Sequence, residues 1–142
     1  QDCVHILGAL TPDKVRDYMQ KAEIYLFTSN RSEGWGAVLN EAMSCACAVV
    51  ANSEIGSVPY LIDNGVNGLV YDRGSVDSLV DCLVKLLDSY ELRKRLGSEA
   101  YRTISEEWSP YKAAKNFLQL VGDLQSNREV SIKHGPCSPA WK

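Results

Sequence analysis

The feature that most constrains this fold is the alternation of short apolar runs with helical patterns over the first 75 residues. The apolar runs are "CVHILG" at 3–8, "EIYLFTS" at 23–29, "CAVVAN" at 47–52 and a short run after Gly68. Helical patterns lie between them at 11–22 and 37–46, and three more fill 75–124. Apolar strands that alternate with helices are typical of a parallel sheet covered on both faces. The sequence therefore predicts an α/β fold, a Rossmann-like doubly wound parallel sheet.

The predicted domain, residues 1–124, is a partial one. Its first strand arrives without the strands that usually build the other half of such a sheet, so we expect truncation at the N-terminal side. Periodicity is lost over residues 125–142, which we interpret as a C-terminal tail that is either disordered or packed elsewhere on the molecule.

Composition excludes several classes of function. A net charge of −3 with no long basic run argues against nucleic-acid binding. No apolar run reaches the roughly 18–20 residues that a membrane span needs. The five cysteines are odd in number and lack paired spacings, so we expect small buried side chains and neither a zinc site nor a disulfide framework.

The stretch "SEGWGAVLNEAM", residues 32–43, carries the candidate chemistry. A loop with two glycines at 30–36, called the glycine loop below, leads into a helix whose first N–H groups are free to bind an anion or sugar oxygens. Glu41 falls beside Ala37 and Cys45 and off the apolar stripe of that helix. Its carboxylate suits the vicinal hydroxyls of a sugar, and Glu33 is placed to accept others from the same ligand. Taken alone, both acids fit a solvated surface at least as well.

A longer ordered match favours the ligand-binding interpretation. "EGWGAVLNE" resembles the E-G-F-G-x-x-x-x-E element of the retaining family four glycosyltransferases, which have the GT-B fold. "AEIYLFTS" and "EAMSCACAVVANSEIGSVPYLIDNGVNGLVY" resemble the segments on either side of that element. The resemblance covers residues 3 to about 121 and implies the donor-binding C-terminal domain of such an enzyme.

The resemblance also implies roles for individual residues. Glu41 would hold the ribose hydroxyls of a nucleotide-sugar, and Glu33 would be the catalytic-centre acid that faces the transferred sugar. Leu39 would lie by the ribose. Backbone N–H contacts to sugar and diphosphate would come from Gly34, Trp35, Gly36, Ala37 and Val38.

The same resemblance implies the molecules involved. The donor would be UDP- or GDP-linked, no cofactor would be needed, and the absence of a D-x-D pair fits metal-independent transfer with retention of configuration. The acceptor would be a saccharide or a lipid-linked molecule in bacterial surface polysaccharide synthesis. We expect a cytoplasmic protein, peripheral at the inner face of the membrane in its full-length form.

This chain departs from the family pattern in ways that affect activity. The segment from Gly56 to Tyr60 stands where Gly-Gly-x-Pro-Glu is usual, and Thr28 and Cys47 stand where proline is usual. The Arg and Lys that neutralise the diphosphate come from earlier in the family's domain, and the acceptor site comes from an N-terminal Rossmann domain. Neither lies in these residues, and Arg31 is no established substitute, so we expect weak donor binding and no catalysis by this chain alone.

Two alternatives remain open at this point. A nucleotide-sugar epimerase of the same fold would also grip its nucleotide with a glutamate and glycines. The other is a non-catalytic nucleotide-binding α/β module. The sequence lacks the acids of a receiver domain and the G-x-G-x-x-G motif of a dehydrogenase, which argues against those two kinds of module.

Overall fold

The computed structural model describes residues 3–140 of the chain. Its sheet has three parallel strands in the order β1-β2-β3: Ile24–Phe27, Ala48–Asn52 and Leu69–Tyr71. The register places Tyr25 opposite Val49 and Ala51 opposite Val70. All five residues of β2 are buried, as a central strand covered on both faces requires. The predicted α/β class with a parallel sheet is confirmed.

Helices connect and cover these strands. They are α1 (Pro12–Lys21), α2 (Ala37–Ser44), α3 (Val58–Leu61), α4 (Val76–Asp88), α5 (Tyr90–Arg102) and α6 (Pro110–Gln125), with a π-helical turn at Thr103–Glu107 after α5. Serines cap three of them: the hydroxyls of Ser75, Ser89 and Ser109 accept backbone N–H bonds at 3.1–3.2 Å. Within residues 3–140 no helix is long and apolar enough to cross a bilayer.

The core lies on both sides of the sheet. On one side α2 and α3 bury Leu39, Met43 and Leu61 against β2. On the other side α4 and α5 bury Leu86 and Leu96. Each fully buried large apolar side chain contributes about 1.5–3 kcal/mol, so the first of these layers holds α2 on the sheet.

Helix α5 crosses unusually close to the start of β2. A Cβ added at Gly97 would lie 2.2 Å from the carbonyl oxygen of Ala46. Ala46 itself has a φ of 58°, a left-handed conformation that costs a residue with a side chain about 1–2 kcal/mol. The predicted helix 37–46 ends at Ser44 because this left-handed turn leads the chain into β2.

The predicted first strand, "CVHILG", is wrong for the described residues. Residues 3–8 form no strand there, and the side chains of Val4 and Ile6 are 75% and 94% exposed. A strand exists only where a neighbour pairs with its backbone, and no strand within residues 3–140 lies beside this segment. The outer edge of β1 likewise has no strand partner there. On β3, in contrast, the side-chain oxygen of Asn64 accepts the N–H of Val70 at 3.0 Å.

Helix α6 is predicted correctly as a helix but with the wrong face inward. The apolar pattern of this helix predicts an inward face made of Ala113, Ala114, Phe117, Leu118 and Val121, but Phe117 and Leu118 are 58% and 71% exposed. The buried side chains are instead polar, Asn116 and Asp123.

The cause of this reversal is the segment after α6, which folds back along the helix. The Asn116 amide donates to the carbonyl of Pro136 at 2.8 Å, and the Asp123 carboxylate accepts from the Ser131 hydroxyl at 2.8 Å. Ile132, which lies within this segment, is itself buried. The polar face of α6 is therefore paired, and the division of the chain at residue 124 stays a prediction.

Candidate functional site

Two loops meet at the carboxyl ends of β1 and β2, where open α/β sheets bind ligands. The first is the glycine loop, 30–36, between β1 and α2. The second is the segment 53–57 between β2 and α3. Both loops precede helices, and both are held by hydrogen bonds and by close main-chain contacts at glycines.

The glycine loop begins with a tight turn. The Asn30 side chain accepts the N–H of Ser32 and its carbonyl accepts the N–H of Glu33, both at 2.9 Å. The Ser29 hydroxyl donates to the Glu33 carboxylate at 3.2 Å. Glu33 is half-buried as a result, with its side chain held over the end of β1.

Gly36 ends the loop and permits the start of α2. Its φ is 76°, and a Cβ there would lie 2.8 Å from the Phe27 ring and 3.2 Å from Cγ of Glu33. Only glycine combines that conformation with so little space. Because the Leu39 N–H bonds to the Gly36 carbonyl at 2.9 Å, the N–H groups of Ala37 and Val38 are left as the open donors of the first helical turn.

The second loop is interlocked with the first. A Cβ added at Gly56 would lie 2.0 Å from the carbonyl oxygen of Gly34, and the Ser57 N–H donates to the carbonyl of Trp35 at 3.1 Å. Main chain therefore touches main chain, and the position of residues 34–36 depends on residues 56–57.

A cavity of about 480 Å³ opens between α1 and α2 and is called the α1/α2 cavity below. Leu10, Val15 and Val38 give it apolar walls, and Arg16 and Glu41 supply opposite charges. This volume is within the range of small-molecule sites, about 300–1,000 Å³, and a few polar groups on apolar walls are their usual chemistry.

Glu41 is the exposed carboxylate of this cavity. It makes no hydrogen bond or ion pair within residues 3–140, so its oxygens are open to a ligand. Burial raises the pKa of the neighbouring Cys45 thiol, an effect that Arg16 opposes and Glu41 strengthens. The thiol is consequently a neutral wall group at physiological pH.

The charges of both glutamates act on Tyr25 of β1. Burial raises the pKa of its phenol, and the negative charges of Glu41, Cys47 and Glu33 raise it further. The Tyr25 hydroxyl thus lies within electrostatic range of both carboxylates. Glu33 does not line the α1/α2 cavity itself, however, so the structure does not bring the two acids together in one cavity.

The remaining predicted site residues divide into two groups. Gly34, Trp35, Ala37 and Val38 are exposed, and their backbone lies on the rim of the loop and first turn. Leu39 is fully buried in the core, and its N–H is already bonded to the Gly36 carbonyl. The ligand contacts of all these residues stay predictions.

The sequence did not single out the contribution of α1 or of Tyr25. Val15 belongs only to the apolar pattern of the helix predicted at 11–22, and Arg16 is part of no motif. The sequence offers only a weak signal for Arg16. It is a cation that directly follows the apolar Val15, on the helix that precedes β1 and the glycine loop.

Trp35 faces away from the α1/α2 cavity into an aromatic trio with Tyr60 and Trp108. Its ring centroid lies 5.5 Å from that of Tyr60 and 5.4 Å from that of Trp108. Its indole N–H donates to the side chain of Asn40 at 2.9 Å, which fixes the ring. The trio links the glycine loop to α3 and to the end of the π-helical turn.

Comparison with known proteins identifies relatives of this architecture. A family model described as glycosyl transferases group 1 matches residues 1–103. An uncharacterised glycosyltransferase of Methanocaldococcus jannaschii is 33% identical over 121 residues, which is 85% of this chain and 34% of that protein. The chain spans about a third of the length of the curated relatives it matches.

Two solved structures share the fold. The C-terminal domain of LpcC, a group 1 family glycosyl transferase from Francisella tularensis, superposes with a TM-score of 0.64 at 24% identity, over 77% of this chain and 52% of that one. Anabaena HepE, solved in complex with UDP and glucose, superposes with a TM-score of 0.68 at 22% identity, over 89% of this chain and 33% of that one.

Proposed function

This chain belongs to the group 1 glycosyl transferases, and from that membership we propose that it forms the donor-binding part of an enzyme that transfers a sugar from a nucleotide-sugar. The observation that carries the proposal is the unpaired Glu41 carboxylate in the wall of the α1/α2 cavity. Carboxylates accept two hydrogen bonds side by side, which matches the two vicinal hydroxyls of a ribose. The nucleoside therefore occupies this cavity, with its base against Leu10, Val15 and Val38.

The diphosphate and sugar extend from there over the glycine loop. The open N–H groups of Ala37 and Val38 and the positive end of the α2 dipole favour an anion. Glu33, which the Ser29 hydroxyl holds in place, faces the hydroxyls of the transferred sugar and stabilises charge there. The proposed transfer retains anomeric configuration and uses no metal.

The preferred donor is UDP-linked. HepE, a structural neighbour with the same fold, binds UDP and glucose, which supports this choice over a GDP-linked donor. The acceptor is a saccharide or a lipid-linked saccharide, as in surface polysaccharide synthesis. Product analysis with the full-length parent protein separates transfer from epimerisation, because only transfer consumes an acceptor.

Nucleotide titration tests the donor site. UDP, GDP and ADP are added to the isotopically labelled chain, and the amide resonances of α1 and α2 are followed. UDP should shift them, and Glu41→Gln should weaken UDP binding about tenfold or more, because a charged acceptor of two hydrogen bonds is lost.

The matched control is Glu91→Gln, an exposed acid in the first turn of another helix, which should bind like wild type. Glu33→Gln should leave UDP binding intact and reduce the extra affinity for a UDP-sugar. A chain whose α1 and α2 resonances respond to none of the three nucleotides contradicts the proposal.

A further inference from the structure

A cavity of about 290 Å³ opens at the opposite edge of the sheet from the glycine loop and is called the basic cavity below. Its wall includes Ala22 and Glu23, which precede β1, and Cys45 and Ala46, which precede β2. In a parallel sheet the residues before the strands lie at one edge and the loops after them lie at the other. The four residues of β1 span about 13 Å, so the basic cavity is separate from the glycine loop, where the donor diphosphate is proposed to lie.

The wall of the basic cavity carries three cations and one acid. The cations are Lys21 of α1 and Arg93 and Lys94 of α5, and the acid is Glu23. The chain as a whole has a net charge of −3, so this concentration of positive charge is opposite to the chain's average. Neither lysine forms an ion pair within residues 3–140. The two ammonium charges are therefore available to a ligand.

Arg93 is held in the wall by several hydrogen bonds. Its Nε donates to the Glu23 carboxylate at 2.8 Å, and its Nη1 donates to the backbone carbonyls of Leu86 and Leu87. The side chain is only 17% exposed. The N–H groups on Nη2, the remaining nitrogen of the guanidinium, make no hydrogen bond within the described part of the chain. Arg93 thus offers fixed and unused donors, and phosphate oxygens accept such charge-assisted bonds well.

Tyr90 brings the two cations of α5 to the same place. The Cζ of Arg93 lies 5.6 Å from the centroid of the Tyr90 ring, and the Nζ of Lys94 lies 5.7 Å from it. A cation within about 6 Å of an aromatic centroid is attracted to the ring face, so Tyr90 steadies both side chains in the wall. Two cations beside one ring also repel each other, and a bound anion offsets that repulsion.

The size and charge of the basic cavity indicate the class of ligand. Small-molecule sites have volumes of about 300–1,000 Å³, so this cavity is at the lower limit and suits a compact group. A phosphate group carries a charge of about −1.5 to −2 at pH 7 and has several acceptor oxygens. Because Glu23 neutralises Arg93, the charge left in the wall is that of the two lysines, which such a group balances. Gln20 and Ser98 add uncharged donors to the same wall.

We propose that the basic cavity binds a phosphate group through Lys21, Arg93 and Lys94. The group belongs either to a soluble phosphorylated molecule or to the headgroup of an anionic lipid, since both present the same oxygens. The basic cavity is independent of the proposed donor site, because none of these three cations lines the α1/α2 cavity. Gln20 and Cys45 line both cavities, so only residues outside this shared pair can report on one cavity alone.

The test is a titration of the labelled 142-residue chain with inorganic phosphate at constant ionic strength. The backbone amide resonances of Lys21, Glu23, Ala46 and Lys94 should shift with a Kd of about 1–10 mM. They should shift at lower phosphate concentrations than the amide resonances of the glycine loop, because only the basic cavity combines three cations.

Variants separate this site from general attraction of an anion to the surface. Lys21→Gln and Lys94→Gln should each weaken phosphate binding about fivefold, because each removes one charge close to the ligand, and Lys94→Arg should retain it. Lys115→Gln is the matched control, since Lys115 is an exposed lysine of α6 outside both cavities, and it should bind phosphate like wild type. Urea unfolding should be nearly unchanged in all four variants.

Vesicles distinguish the two sources of the phosphate group. Cosedimentation with phosphatidylcholine vesicles that contain phosphatidylglycerol, but not with pure phosphatidylcholine, identifies a lipid headgroup if Lys94→Gln abolishes it. A chain that binds inorganic phosphate but neither kind of vesicle has a site for a soluble phosphorylated molecule.

Three results would overturn the phosphate site. The first is the absence of any shift at the basic cavity up to about 50 mM phosphate. The second is phosphate binding that survives the combined Lys21→Gln and Lys94→Gln change. The third is a response of the glycine loop at lower phosphate concentrations than the basic cavity. A chain that binds phosphate in the basic cavity but no nucleotide contradicts the donor site alone.

Discussion

Replacing Gly56 with alanine tests whether the two loops of the site are interlocked. The added Cβ would stand 2.0 Å from the Gly34 carbonyl oxygen, where real Cβ atoms essentially never come closer than 3.0 Å. The loops must therefore separate by about 1 Å, since 3.0 minus 2.0 leaves that difference. Gly56 has no left-handed φ, so the whole effect arises from this contact.

The expected cost follows from two contributions. Overpacking of this kind costs about 1–3 kcal/mol. Weakening of the bond from the Ser57 N–H to the Trp35 carbonyl adds about 0.5–1.5 kcal/mol. The free energy of unfolding should fall by about 2–4 kcal/mol, which for a chain of this length lowers the Tm by about 6–15 °C. UDP affinity should fall about tenfold, because the open N–H groups of α2 move with the loop.

Urea unfolding and nucleotide titration measure both effects on the same variant. The matched control is Gly122→Ala: a Cβ there meets nothing within 4 Å, and the position lies within α6. This control should be about 0.5–1 kcal/mol more stable than wild type and bind UDP equally well. A Gly56→Ala chain within about 0.5 kcal/mol of wild type, with unchanged UDP affinity, would refute the interlock.

Three further variants test the packing around the site. Gly97→Ala should lower the free energy of urea unfolding by about 1–3 kcal/mol, because its Cβ would meet the Ala46 carbonyl at 2.2 Å; wild-type stability would show that α5 shifts freely. Ala46→Gly should raise it by about 0.5–1 kcal/mol, since relief of a φ of 58° exceeds the entropy that glycine adds to the unfolded chain, and a loss of stability would contradict this reasoning. The Ser131 hydroxyl and N–H lower the pKa of the Asp123 carboxyl, so its stabilisation is complete above its ordinary pKa near 4 and is lost as the pH falls toward the lowered value. Asp123→Asn should therefore be less stable than wild type at pH 7 and lose less stability between pH 7 and pH 3, and urea curves with equal losses would argue against this role.

Local sequence signals predicted the elements that depend on local physics. The run at 47–52 became β2 because unbroken apolar residues suit a strand covered on both faces. Gly36 is a second local case, because the ability to adopt a left-handed φ is a property of the glycine residue itself. Helix α2 ends two residues before its predicted end because of the left-handed turn at Ala46, which is also a local feature.

Errors arose where the outcome depends on a distant segment. The run at 3–8 has every property of a strand except a neighbour with which to pair. The apolar pattern of α6 predicted its inward face, but the bonds of Asn116 and Asp123 to the following segment turned the polar face inward. Two features of the site also depend on residues far apart in the sequence. These are the contact between Gly34 and Gly56 and the place of Arg16 in the wall of the α1/α2 cavity, and no spacing in the sequence encodes either one.

The outer edge of β1 has a consequence for how this polypeptide behaves among its own copies. Its backbone N–H and C=O groups face outward without a partner strand within residues 3–140, and Leu26 beside them is 39% exposed. Such a row is a template for β-augmentation by any extended peptide. On β3, in contrast, the Asn64 side chain accepts the N–H of Val70, so that donor is not open to an added strand. Self-association of this chain should begin at β1 and be suppressed by a charged residue at position 26.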